Sequence, residues 1–234
     1  MNNEILRSIR SHLAASAPYD AQEFAVRKAG LPPPSEQRGQ APLPDLLPSS
    51  TQAGLSRVDH FKQNLEAVGA RCVIANGDTE IARALTTIIS GLQKTNLRAQ
   101  RIAISDNPNV ERLMYLTDLE IEALSIAPYD IFSYDLGITT AQAAIAETGT
   151  LVLDSADERH RLVSLVPPVH IAIVAASRIC ETLGEALALL RNGKDLSRAV
   201  TFVTGPSRTA DIELTLTVGV HGPQELYVIV NGST

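Results

Sequence analysis

The sequence predicts a three-layer α/β domain built on a largely parallel sheet. Three observations point there. Short apolar runs such as "ARCVIA", "RIAIS" and "HIAIVAAS" are continuous rather than alternating, amphipathic helical stretches lie between them, and strand and helix follow one another in turn. Continuous apolar strands suit a parallel sheet because helices cover both of its faces.

The first 30 residues read as a mildly amphipathic helix with Ile5, Ile9 and Leu13 on one face. Six of the 13 prolines then crowd into residues 31–48, which rules out helix and disfavours sheet. Residues 1–53 are therefore expected to be a helical N-terminal arm with a Pro-rich linker, and 54–234 the α/β domain. Ser56, with Asp59 three residues on, caps a helix whose stripe is Val58, Phe61, Leu65 and Val68. Residues 70–75 form a buried strand. Asp78 and Thr79 open a second helix with Ile81, Leu85, Ile88 and Leu92 inward. Residues 101–105 are a strand, Asn107-Pro108 starts a short helix, and 122–127 are a third strand. Residues 133–155 are expected to hold a short strand, a small-residue helix and a Gly-bent strand. A strong strand covers 170–177, Thr182 and Glu185 cap a helix over 183–191 that ends at Asn192-Gly193, and 199–204 and 225–230 supply the last strands.

Composition narrows the function. A length of 234 residues supports a sizeable core without metal or disulfide support. A net charge of −6 argues against nucleic acid or an anionic membrane as the main partner. No run of apolar residues is long enough to span a bilayer and the start lacks a signal-peptide core, so a cytoplasmic location is expected. Cys72 and Cys180 stand 108 positions apart with no CxxC pair, so this chain by itself lacks the thiolates for a four-cysteine iron–sulfur cluster. No HExxH spacing offers a zinc site.

Three polar clusters follow apolar runs and are expected at the carboxyl ends of strands, where open α/β sheets bind ligands. The first is Glu147-Thr148-Gly149-Thr150, whose carboxylate can act as base or nucleophile, or is a solvated glutamate in a surface hairpin. The second runs from Gly205 to Glu213 and includes Ser207, Arg208, Thr209 and Asp211. A helix starting near Ser207 would make it an anion cradle; otherwise it is a capped turn. In the third, His221 precedes Gly222 in a Gly-rich turn, placed to titrate or without a role. His170 at the start of a strand reads as a core histidine. GxxxxGK[ST], GxGxxG and GxSxG are absent, which removes the commonest markers of nucleotide binding and of the hydrolase elbow.

Together "DLGITTAQAAIAETGTLVLDS", "RLVSLVPPVHIAIV" and "TGPSRTADIELTLTVGVHGPQELYVIV" closely resemble the LUD-domain family over roughly residues 55–231. The resemblance implies a fold similar to ribose-5-phosphate isomerase, CoA transferases and 5-formyltetrahydrofolate cyclo-ligase. It implies a bacterial system that oxidises L-lactate to pyruvate, with iron–sulfur clusters in partner proteins and no cofactor in this chain. The implied site is a pocket for a small carboxylate, lactate or pyruvate, or for a partner loop. Glu147, Asp211 and His221 would act in it, and Thr148, Gly149, Thr150, Gly205, Ser207, Arg208, Thr209 and Gly222 would bind. Arg208 would pair with the carboxylate, His221 exchange the proton, and Asp211 or Glu147 orient them. Two alternatives stay open: a stand-alone enzyme for a CoA ester, nucleotide or sugar phosphate, with Glu147 as nucleophile, and a non-catalytic scaffold of the complex.

Overall fold

The computed structural model describes residues 56–191, 199–210, 216–218 and 222–233; the expected arm over 1–53 and the helix stop at Asn192-Gly193 lie outside the described residues. Ser56 opens helix α1 (Arg57–Ala67), its Oγ accepting from the Asp59 amide at 3.1 Å and donating to the Asp59 carboxylate at 2.7 Å. Phe61 and Leu65 are buried from it. Strand β1 (Arg71–Ala75) leads into α2 (Gly77–Gln93), which buries Ile81, Leu85, Ile89 and Leu92. Ile88, expected inward, is half-buried and packs against the same core, while Ile89 on the i, i+4, i+8 row is fully buried. Strand β2 (Arg101–Ile104) precedes α3 (Pro108–Tyr115), where Asn107 accepts from the Asn109 amide and Pro108 sits in the first turn. Strands β3 (Ala123–Ile126) and β4 (Leu136–Thr140) follow.

The small-residue helix expected within 133–155 does not form. The chain makes β5 (Ala143–Ile145), a 3₁₀ turn (Ala146–Thr148) and β6 (Thr150–Asp154) instead. Ala143, Ala144 and Ile145 are buried on both sides, and short side chains let this strand pack close to neighbouring layers. Tertiary packing here overrides the helix propensity of alanine. A short helix α4 (Leu162–Leu165) then precedes β7 (Val169–Ala175), followed by β8 (Ile179–Cys180) and α5 (Leu183–Arg191). Thr182 accepts from the Glu185 amide at 3.3 Å while the Glu185 carboxylate takes the Glu181 amide at 3.0 Å. Strand β9 (Val200–Val203), the hairpin of β10 (Arg208–Ala210) and β11 (Leu216–Val218), and β12 (Glu225–Asn231) end the described chain.

Six strands form one all-parallel sheet in the order β1-β12-β7-β4-β2-β3. A second sheet, β8-β5-β6-β9, is mixed, and β9 runs antiparallel to β6 there rather than joining the main sheet as expected. Side chains alternate across the main sheet. Val169, Ile171 and Ile173 of β7 pack with α2 and α3, and Ala172 and Val174 pack with α1 and the small sheet. The outer face of the small sheet packs on α5 through Ala143, Ile145, Val152 and Ala186. The result is the expected three-layer α/β architecture, with a second sheet as part of one covering layer.

Candidate functional site

The Glu147–Thr150 segment is a joint between elements. Gly149 adopts a left-handed conformation (φ 64°, ψ 34°), and a Cβ there would lie 2.3 Å from the Leu65 nitrogen of α1. Asn64 fixes the same contact by donating from Nδ2 to the Ala146 carbonyl at 2.8 Å. Glu147 is exposed and turned toward α5: its Oε1 accepts from the Leu183 amide at 3.3 Å, and its own amide donates to the Glu181 carbonyl at 3.1 Å. A carboxylate at the first turn of a helix favourably meets the amides and dipole there. Its contacts are those of a cap.

A chain of hydroxyls joins the first cluster to the second. Thr148 Oγ1 lies 2.7 Å from Thr150 Oγ1, which lies 2.7 Å from Thr204 Oγ1 at the end of β9. The turn after Thr204 leans on the end of α1. Gly205 has φ +99°, and a Cβ there would meet Val68 at 3.1 Å. Arg208 donates from Nη2 to the Val68 carbonyl at 2.7 Å, capping a carbonyl that α1 leaves unpaired. No helix starts at Ser207, because Arg208–Ala210 pairs as β10 with β11. The second cluster is therefore not a helix N-terminus.

The second and third clusters meet directly. The Ser207 amide donates to the Pro223 carbonyl at 2.8 Å, and a Cβ on Gly222 would come within 3.1 Å of the Ser207 side chain. Between the two turns opens a cleft of about 310 Å³ lined by Leu165, Phe202, Thr204–Ser207, Gly222, Pro223 and Leu226. His170 also lines it, fully buried, with Nε2 2.9 Å from the Thr139 hydroxyl and, among the described residues, no partner at Nδ1. Burial pushes its imidazole down to about 3, so the ring is neutral at physiological pH. Asp211, His221 and the Thr209 side chain lie outside the described residues.

The cleft stands at the amino ends of β7 and β12, not at the carboxyl ends where the clusters were expected. The reason is that β9 belongs to the antiparallel sheet, so its end is not an end of the main sheet. The carboxyl ends of β1, β2, β4, β7 and β12 border a larger cleft of about 840 Å³ whose lining includes Asp78, Asp106, Arg112, Thr140, Arg159 and Arg178. Arg112 pairs with Asp78 at 2.7 Å. Next to it Glu158 is buried: its Oε1 accepts from the Thr140 amide and hydroxyl and from the Ser105 hydroxyl, while Oε2 has no partner among the described residues. Burial pushes the Glu158 carboxyl above the usual range, against those hydrogen bonds and with help from the Asp106 charge.

The LUD-domain family model matches residues 58–230, most of the chain, and reaches every strand of the main sheet. The chain belongs to the LUD-domain family. Lactate utilization protein C of Halalkalibacterium halodurans is 31% identical over 77% of this chain and 73% of its own length. Lactate utilization protein C 1 of Bacillus mycoides is 47% identical over 42% of this chain and 44% of its own, and an uncharacterised protein of Neisseria meningitidis is 35% identical over 63% and 61%. The aligned chain spans about half the length of those last two relatives. A crystal structure of a DUF162 family protein from Deinococcus radiodurans superposes with a TM-score of 0.54 at 25% identity, covering 76% of this chain and 99% of that one.

Within this LUD domain the sequence pointed to the Gly205–Arg208 and Gly222 turns, which the fold does bring together. It gave Glu147, Gly149, Gly205 and Arg208 site roles, and each makes its described contact with a neighbouring element of the fold. His170 and Glu158 carried no usable local signal. One is embedded in an apolar strand, and the other sits in the polar stretch "DSADERH" that reads as a solvated loop.

Proposed function

We propose that this LUD-domain chain takes part in lactate utilization as a component without an iron–sulfur cluster, binding a small carboxylate such as lactate or pyruvate in the cleft between the Gly205–Arg208 and Gly222–Pro223 turns. The names of its relatives support the process. One observation carries the site: the Ser207–Pro223 hydrogen bond draws two distant parts of the family-like signature together beside a buried, neutral histidine. Ser207 offers a hydroxyl and His170 a ring nitrogen, enough to receive a carboxylate or its neighbouring hydroxyl in a cleft of small-molecule size. Asp211 and His221 belong to the same two segments, where His221 would exchange the proton released on oxidation. Partner proteins bearing iron–sulfur clusters would receive the electrons. Ser207→Ala and His170→Asn test this by calorimetry with L-lactate and pyruvate, and by complementation of growth on L-lactate in a strain lacking its own lactate utilization protein C. The expected result is lost binding and lost growth with normal protein levels; folded variants that bind and complement like wild type would overturn it.

The larger cleft favours a second reading, the stand-alone enzyme. Its place at the carboxyl ends of five parallel strands is where such sheets take phosphorylated ligands, and Arg159 and Arg178 stand at its rim. Calorimetry with a CoA ester, ATP and ribose 5-phosphate decides: saturable binding lost in Arg178→Ala supports this reading, and no heat from any of the three ends it.

A further inference from the structure

Among the described residues strand β3 is one edge of the main sheet and pairs with β2 alone. Its burial alternates, with Leu124 and Ile126 exposed. The amides of Ala123 and Ala127 donate toward β2, to the Gln100 and Ile104 carbonyls. By the alternation of a strand, the N–H and C=O groups of Leu124 and Ile126 face away from the sheet. The same two residues thus present both apolar side chains and backbone groups without a partner among the described residues.

The surrounding sequence intensifies this. Of the ten large hydrophobic side chains exposed among the described residues, six fall between 115 and 132: Tyr115, Leu116, Leu124, Ile126, Tyr129 and Phe132. Phe132 is 83% exposed and Tyr115 75%. Leu124 and Ile126 lie on the open edge itself and the other four on the segments that precede and follow it in sequence; an open apolar edge marks an interaction surface, since it otherwise invites aggregation. The charges select the occupant. Asp118, Glu120 and Glu122 are exposed in the residues leading into β3, and Asp130 follows it; the cation paired beside them is Arg101 of β2, while Arg159 and Arg161 stand near the far end, beside Ala127. A second copy of the chain would bring like charges together across the edge, which is unfavourable.

We infer that the β3 edge receives an extended segment of a different protein, apolar with flanking lysines or arginines, added as a seventh strand. Main-chain bonds to Leu124 and Ile126 would fix the register, Leu124 and Ile126 would supply the apolar contact, and the four carboxylates would select a basic partner.

The test uses the full chain, isotope-labelled, with two synthetic ten-residue strand peptides, one alternating valine with lysine and the other valine with glutamate. Amide exchange of Leu124 and Ile126 is read with and without peptide. The expected result is fast exchange in the free chain and protection by the lysine peptide, with the glutamate peptide weaker by about tenfold or more. Leu124→Pro removes one outward N–H while sparing the β2 ladder, and is expected to abolish peptide binding at an unchanged melting temperature. Glu120→Lys combined with Glu122→Lys leaves two carboxylates against two lysines, and in that variant alone the two peptides are expected to bind alike. Slow exchange in the free monomer would mean that the chain covers its own edge, and protection rising with protein concentration would mean a second copy. Either result overturns the inference, as does equal binding of both peptides or no protection by the lysine peptide at millimolar concentration.

Discussion

Replacing Gly149 with alanine places a carbon 2.3 Å from the Leu65 nitrogen, 2.6 Å from its Cα and 2.7 Å from the Asn64 carbonyl carbon. All three are backbone atoms of α1, so no side chain can swing aside. The left-handed backbone at Gly149 adds about 1–2 kcal/mol for a residue with a Cβ. Forcing extra volume into a packed contact costs about 1–3 kcal/mol. The sum, about 2–5 kcal/mol, is a large part of the roughly 5–15 kcal/mol that holds a domain together. At about 2–4 °C per kcal/mol for a domain of this size, melting falls by roughly 5–20 °C. Thermal and urea unfolding measure it. Gly149→Asn separates the two causes, since asparagine tolerates the left-handed region but carries the same Cβ. If packing against α1 dominates, Asn and Ala lose similar stability; if backbone strain dominates, Asn recovers much of it. An alanine variant melting within about 1 °C of wild type would refute the close approach.

Other perturbations test other parts of the fold. Folded His170 stays neutral down to about 3 while its ordinary value is 6.5, so the unfolded state gains protons first and stability falls as pH drops through that window. The drop amounts to about 5 kcal/mol at its acid end, and urea unfolding of His170→Asn should show a flatter acid limb than wild type. Glu158 has the opposite sign. Its raised carboxyl favours the folded state below the ordinary value of 4.5, and that contribution is lost as pH rises through the folded value. Relative to wild type, Glu158→Gln should therefore gain stability on going from acid to neutral pH, and a constant difference across the range would count against the buried acid. Gly91 lies inside α2, and a methyl added there would meet nothing within 4 Å, so Gly91→Ala should stabilise by about 0.5–1 kcal/mol in the same assay.

Where local chemistry fixes an element, the sequence was enough to find it. Ser56 with Asp59, Asn107 before Pro108, and Thr182 with Glu185 each mark a helix start, and each bond is present. The continuous runs in β2, β7 and β12 mark strands covered on both sides, whereas the run expected as a buried strand over 70–75 forms the edge strand β1 with Ile74 exposed. Residues 143–145 misled because alanine favours helix in isolation, while burial between layers set the outcome. The same misplacement hid the small sheet, and with it the direction of β9, so the clusters were assigned to the wrong end of the main sheet. The convergence of Ser207 with Gly222 was legible as order along the chain, but not as geometry. Glu158 shows why the rest stayed hidden: its partner Ser105 is 53 residues away, and no local pattern encodes such a meeting.

The order of the main sheet has a consequence for how the chain assembles. Among the described residues strand β1 has one neighbour, β12, and the register sets Arg71 beside Tyr227, 156 positions later. Contacts so distant along the chain are slow to form, because a long loop must close before they return any stabilisation. During synthesis, β2, β3, β4 and β7 can pair among themselves, while β1 must wait for residues 225–231. Until then Cys72 and its strand lack their permanent cover, and a nascent chain stalled before β12 offers the cell's quality control an open strand at each side of an unfinished sheet.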